Sequence, residues 1–153
     1  MKKIIVFLPV MFFFTQVFAQ NPVTWNYSAK KIADKTYEIH FTATIEEPWH
    51  IYSQSVPEGG PIPTAISFSK NPLVKISGKV KEVGKLVEKY EEVFKIKVKY
   101  YSKKVDFVQV VTLRQVQGDK PVKTTANGAI EYMVCTNEEC LPPQNVNFSV
   151  NLN

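Results

Sequence analysis

Tyr37-Glu38-Ile39-His40-Phe41-Thr42-Ala43-Thr44-Ile45 alternates apolar and polar side chains without a break. Successive side chains of a β-strand point to opposite faces, so this period of two predicts a strand with one buried face. The same pattern recurs on both sides of it. Phe94, Ile96, Val98 and Tyr100 alternate with Lys95, Lys97 and Lys99, and Val146, Phe148, Val150 and Leu152 alternate with Asn147, Ser149 and Asn151. Shorter strand candidates are Val23 to Tyr27, His50 to Ser53, Ala65 to Ser69, Val105 to Leu113 and Ala129 to Cys135. Turn residues punctuate them at Ala33-Asp34-Lys35, Pro57-Glu58-Gly59-Gly60-Pro61, Asn71-Pro72, Gly118-Asp119 and Asn127-Gly128. Many short strands with frequent turns predict an all-β fold, a two-sheet antiparallel sandwich. Between Lys79 and Glu92 the apolar residues Val80, Val83, Val87 and Tyr90 fall at helical spacing, but Gly84 and the valines weaken a helix. This stretch is expected to be strand and loop with at most one helical turn.

The 153 residues suffice for one domain. With 44% hydrophobic residues, ten Phe, seven Tyr and two Trp, the chain can bury a sizeable core, which excludes a disordered or collagen-like chain. Only Arg114 among the 19 basic residues is arginine, and the net charge is a modest +5. Phosphate-reading surfaces favour arginine, so the surplus reads as solvated surface and no nucleic-acid partner is expected. The lysine stripe at Lys95, Lys97 and Lys99 reads in the same way, as a solvent face that keeps a strand from pairing with strangers.

Residues 1–19 read as an export signal. Lys2 and Lys3 precede an apolar run from Ile4 to Phe14, and Val17-Phe18-Ala19 offers small residues at the positions a signal peptidase inspects. The run is short for a membrane span. Cleavage near Ala19 would leave residues 20–153 as the mature domain, periplasmic or secreted and without a membrane span. In an oxidising compartment two neighbouring thiols normally pair.

Both cysteines lie in Tyr132-Met133-Val134-Cys135-Thr136-Asn137-Glu138-Glu139-Cys140-Leu141-Pro142-Pro143. Thr136 to Glu139 can form a tight reversal, with Asn137 tolerant of a left-handed backbone, so that Cys135 and Cys140 face each other at its base. Opposed residues in an antiparallel pair lie ~4.5–5.5 Å apart at Cα, which a disulfide accepts. Pro142 and Pro143 cannot extend a central ladder, which keeps this segment near a sheet edge and the sulfurs near the surface. Such a bridge is either a local staple or a redox switch. Closing about six residues is worth only ~2 kcal/mol, which makes a poor staple and a serviceable switch. A zinc site would need His40, His50, Cys135 and Cys140 to converge, against a wide C-x4-C spacing and the polar-side position of His40. Cys/His hydrolysis is disfavoured by the second thiol and by Glu138 and Glu139, whose charges oppose a nearby thiolate. No phosphate loop and no hydrolase elbow is present.

The run Glu131 to Pro143 resembles the cysteine hairpin of the N-terminal periplasmic domain of the thiol:disulfide interchange protein DsbD family. Trp49-His50-Ile51-Tyr52-Ser53-Gln54, followed by Pro57 to Thr64, resembles the matching region of stand-alone relatives, and the likeness extends from about Val23 to Leu152. The resemblance implies an immunoglobulin-like sandwich with both active cysteines at one end. It implies a protein-disulfide reductase role, passing reducing equivalents from a thioredoxin-like or membrane thiol-electron donor to periplasmic acceptors. Those acceptors are disulfide isomerases and cytochrome c maturation thioredoxins. By position, Cys140 matches the cysteine that attacks the acceptor disulfide and Cys135 the one that resolves the mixed disulfide. His50 and Tyr52 match aromatic positions beside the cysteines, where ordinary strand packing is the competing explanation, and Glu139 borders the pair. Thiol exchange needs no cofactor or metal.

Two departures from the family stand out. Its best-known members continue into a transmembrane conduit and a thioredoxin domain, neither of which this sequence contains, so a separate electron donor is expected. The family's shielding loop would correspond to the region around Val83 to Val87, which offers no clean match, Leu86 being the apolar candidate. Against the exchange domain stand two other classes. One is a non-catalytic exported binding module with a structural disulfide; the other is an assembly subunit that pairs strands with a client.

Overall fold

A computed structural model describes residues 21–92, 94–114 and 123–153. The leader and the Gly118-Asp119 turn candidate lie outside these residues. The described chain forms nine strands: β1 Val23–Ala33, β2 Thr36–Ile45, β3 His50–Tyr52, β4 Ala65–Phe68, β5 Val74–Glu91, β6 Ile96–Leu113, β7 Thr124–Tyr132, β8 Val134–Cys135 and β9 Gln144–Leu152. All pairings are antiparallel. One sheet runs β1-β2-β6-β3-β8, with β5 on the other side of β6, and the second runs β4-β7-β9.

The two sheets close over one apolar core. Tyr37, Ile39, Phe41, Ala43 and Ile45 of β2 are all buried, and Phe148, Val150 and Leu152 of β9 meet them from the opposite sheet. Phe41 and Phe148 pack edge to face with centroids 4.7 Å apart, and Phe68 completes the cluster at 5.3 Å from Phe148. Trp25 meets Tyr132 in the same manner at 5.4 Å. Such aromatic pairs contribute roughly 0.5–1.5 kcal/mol each beyond the area they bury.

Strand β6 organises the molecule. One of its edges pairs with β5; the other pairs with β2 through Lys104 to Thr112 and with β3 through Tyr100 to Ser102. The sheet therefore forks at Lys103, whose φ is 68°, where the register with β5 also slips between Gly84 and Leu86. The apolar side of β6 changes there as well. Tyr101, Val105, Phe107 and Val111 face the main core, whereas Val98 lies on the opposite face in a second buried cluster with Tyr52 and Cys135.

The structure corrects several expectations. The strand expected over Phe94 to Tyr100 begins only at Ile96, Phe94 and Lys95 lying in the turn before it, and it is not separate from Val105 to Leu113: both are parts of β6, their opposite apolar phases marking the switch of face. The stretch between Lys79 and Glu92 contains no helical turn, because its residues pair with β6 as part of β5. Its apolar residues only mimic helical spacing on a bulged strand, with Gly78 at φ 72° opening the bulge between Ser77 and Lys81. Asn127-Gly128 is no turn but the middle of β7, where Gly128 lets β4 and β9 close in. A Cβ on Gly128 would stand 2.0 Å from the Ser67 carbonyl oxygen and 2.5 Å from Phe148 Cζ. Lys99 guards no free edge, since β6 has partners on both sides.

Candidate functional site

The segment expected as one strand from Ala129 to Cys135 is divided at Met133. Residues up to Tyr132 belong to the second sheet, whereas Val134 and Cys135 cross to the first and pair with Ile51 and His50. The division follows from burial: Tyr132, Val134 and Cys135 are all buried, which a single alternating strand cannot provide. After β8 the chain reverses. Thr136 N donates to Glu139 O at 2.8 Å, Cys135 bridges Cys140, and Leu141 N donates to Val134 O at 3.0 Å. Thr136 Oγ1 accepts from the amides of Glu138 and Glu139, both at 3.1 Å. With the hydroxyl closing the turn, the reversal makes no use of the left-handed backbone that Asn137 tolerates.

Cys135 and Cys140 are joined by a disulfide with their Cα atoms 4.0 Å apart. The pair is asymmetric. Cys135 is fully buried, while Cys140 is exposed. The expectation of two sulfurs near the surface therefore holds for one cysteine of the pair. The cause is the register: Cys135 is a ladder residue of β8, and Cys140 lies beyond the sheet edge in an isolated bridge, close before Pro142 and Pro143. Pro48, Trp49 and Thr136 to Glu139 line an open groove beside the bridge.

Cys135 lies directly opposite His50 in the β3–β8 ladder. Because Ile51 faces the main core, His50 and Tyr52 face the other way, into the second cluster. The His50 ring lies 4.3 Å from the Tyr100 ring and 5.3 Å, edge to face, from that of Tyr52. His50 Nε2 is 3.4 Å from the Tyr52 hydroxyl. Val56, Ile96, Tyr100 and Met133 pack around Tyr52, Val98 and Cys135. Burial pushes the His50 pKa down to about 4, the Glu91 carboxylate opposing this and the Lys89 ammonium adding to it. Burial likewise pushes Tyr52 up to about 12, aided by Glu91 and Tyr100. Both side chains are uncharged at neutral pH.

Charged groups reach this cluster from the end of β5. Lys89 Nζ lies 3.3 Å from Glu91 and donates to Asn137 Oδ1 at 3.1 Å, tying β5 to the tip of the cysteine reversal. On the inner side, Glu82 holds the segment after β3. It accepts from Ser53 Oγ at 2.8 Å, Gln54 N at 2.6 Å and the Tyr101 hydroxyl at 2.7 Å. The Tyr101 hydroxyl is pushed strongly upward, first by burial and then by this bond to Glu82. Val83 to Val87 is not a loop over the cysteines. It is paired strand, and Leu86 stands opposite Tyr101, three strands from β8.

The structure thus brings Cys135, Cys140, His50 and Tyr52 together, with Glu139 exposed at the turn. His40 is elsewhere: on β2 it faces Asp106, Nδ1 to Oδ2 2.6 Å. Among the described residues no three His, Cys, Asp or Glu side chains gather in a metal-binding group. Tyr100, Lys89 and Glu91 join this cluster without a signal in the sequence. Tyr100 belongs to an apolar alternation that reads as ordinary core, and no local signal ties Lys89 to a residue 48 positions away.

The family model for the N-terminal domain of thiol:disulfide interchange protein DsbD matches residues 15–152. Among solved structures, the N-terminal periplasmic domain of ScsB from Proteus mirabilis aligns with a TM-score of 0.56 at 20% identity. The match covers 87% of this chain and 47% of that one, so this chain spans about half its length. The likeness carries the fold, an immunoglobulin-like β-sandwich. No curated protein matches the sequence. No helix among the described residues is long and apolar enough to cross a membrane.

Proposed function

Since this chain belongs to the family of DsbD N-terminal domains, we propose that it is a thiol:disulfide exchange domain working through Cys135 and Cys140. The observation that carries the reading is the asymmetry of the bridge: an exposed Cys140 and a buried Cys135. In the reduced state Cys140 is the sulfur a partner's disulfide can reach. Its thiolate attacks and forms a mixed disulfide. Cys135, held within disulfide distance, then attacks Cys140 and releases the reduced partner. The reverse sequence recharges the pair from a donor. No metal or cofactor takes part.

The finer assignments extend this reading. The donor is a thioredoxin-like or membrane thiol-electron carrier. The acceptors are periplasmic disulfide isomerases or cytochrome c maturation thioredoxins. The protein works in the periplasm after removal of residues 1–19, and mass spectrometry of exported material should find Gln20 at its start. Cys135→Ala leaves Cys140 without its resolving partner and should accumulate a mixed disulfide with the acceptor on non-reducing gels. Cys140→Ala leaves only a buried thiol and should accumulate none. Absence of any trapped species with Cys135→Ala would favour a binding module with a structural disulfide.

A further inference from the structure

The second half of the exchange requires Cys135 to lose a proton in a place where water has no access, since Cys135 is fully buried. The groups facing it can be named from every neighbouring element. From β3 come His50, directly opposite in the ladder, and Tyr52; from β6 come Val98 and Tyr100; from its own hairpin come Met133 and Cys140. The end of β5 adds Lys89 and Glu91, joined to each other at 3.3 Å. Phenols hold their protons at neutral pH, an ammonium has no acceptor, and the Glu91 carboxylate is engaged by Lys89 at 3.3 Å at the end of β5, whereas His50 stands directly opposite Cys135. A neutral imidazole has one unprotonated ring nitrogen. We propose that His50 is the base that takes the proton of Cys135 as Cys135 displaces the partner from Cys140.

This rests on the exchange reading above. In the step, the Cys135 sulfur bonds to the Cys140 sulfur while the bond from Cys140 to the partner breaks. The partner sulfur leaves with the bonding pair, so that over the two successive attacks the cysteine pair is oxidised by two electrons and the partner reduced by two. The proton passes from Cys135 to His50 and from there to the departing thiolate or to water. Burial holds His50 neutral down to about pH 4, which keeps its acceptor nitrogen available, and the Glu91 carboxylate favours the transient imidazolium. With so weak a base, proton transfer accompanies sulfur attack rather than preceding it.

The test uses the reduced full chain and Ellman's aromatic disulfide. Attack by Cys140 releases one coloured thiolate, and ring closure by Cys135 releases a second. His50→Gln should slow the second release about 10²-fold and leave the first as it is. His50→Tyr keeps an aromatic ring in the cluster and should be as slow. The second release from the unaltered protein should be slower in heavy water, an effect both variants lose. An undiminished second release in His50→Gln, its recovery in His50→Tyr, or equal slowing of both releases would overturn the role of His50. So would the absence of a heavy-water effect in the unaltered protein, which needs no variant to fold. Failure of the first release would instead sink the exchange reading itself.

Discussion

His50 carries a stability signature as well as a chemical one. Its folded pKa, near 4, lies below the ordinary histidine value of 6.5. As pH falls below 6.5 the unfolded chain takes up a proton that the folded chain refuses, so stability present above 6.5 is lost progressively down to about 4 and no further from this group. The loss is on the order of 3 kcal/mol. Urea unfolding at pH 7, 5.5 and 4 should show this fall in the unaltered protein and a shallower one in His50→Phe; parallel curves would refute the account. At this scale the sequence was informative where chemistry is local. Cys135 and Cys140 identified themselves by spacing, and the segment Trp49 to Gln54 pointed to His50 and Tyr52. The unequal exposure of the two sulfurs was not legible, because it depends on which side of a sheet crossing each cysteine falls.

Strand β7 shows how an element can defeat its own composition. Asn127-Gly128 has turn chemistry, yet β7 passes through it because two neighbours press against the missing Cβ. Gly128→Ala would force Ser67 and Phe148 apart and should cost at least about 3 kcal/mol, near the upper end of overpacking penalties. A urea midpoint close to that of the unaltered protein would show that β4 can shift away. Strands β2 and β9 were legible from end to end, because one face is buried throughout. Strands β5 and β6 were not. β6 buries one face along half its length and the other face along the rest, so its periodicity resembles two shorter strands. β5 carries exposed Val83, Leu86 and Tyr90, which blur its alternation.

For the molecule as a whole, the disulfide is a minor support. It closes a loop between residues five apart in sequence, while nineteen buried residues among those described form the main core. Replacing both cysteines by serine should lower stability by about 2 kcal/mol and leave a single cooperative unfolding transition, measured by urea titration with circular dichroism. A collapse of the fold would make the bridge a staple and weaken the exchange proposal. The sandwich class followed from the alternating strands, but the fork at Lys103 did not, since it requires knowing that β2 and β3 share one edge of β6. That fork has a consequence for how the molecule breathes. The chemically active corner rests on its own small dry compartment, on the far side of β6 from the aromatic heart of the sandwich. Ile51 of β3 and Val134 of β8 nevertheless reach through to the main core, so a partner that pries at this corner pulls on two side chains seated in the heart of the sandwich.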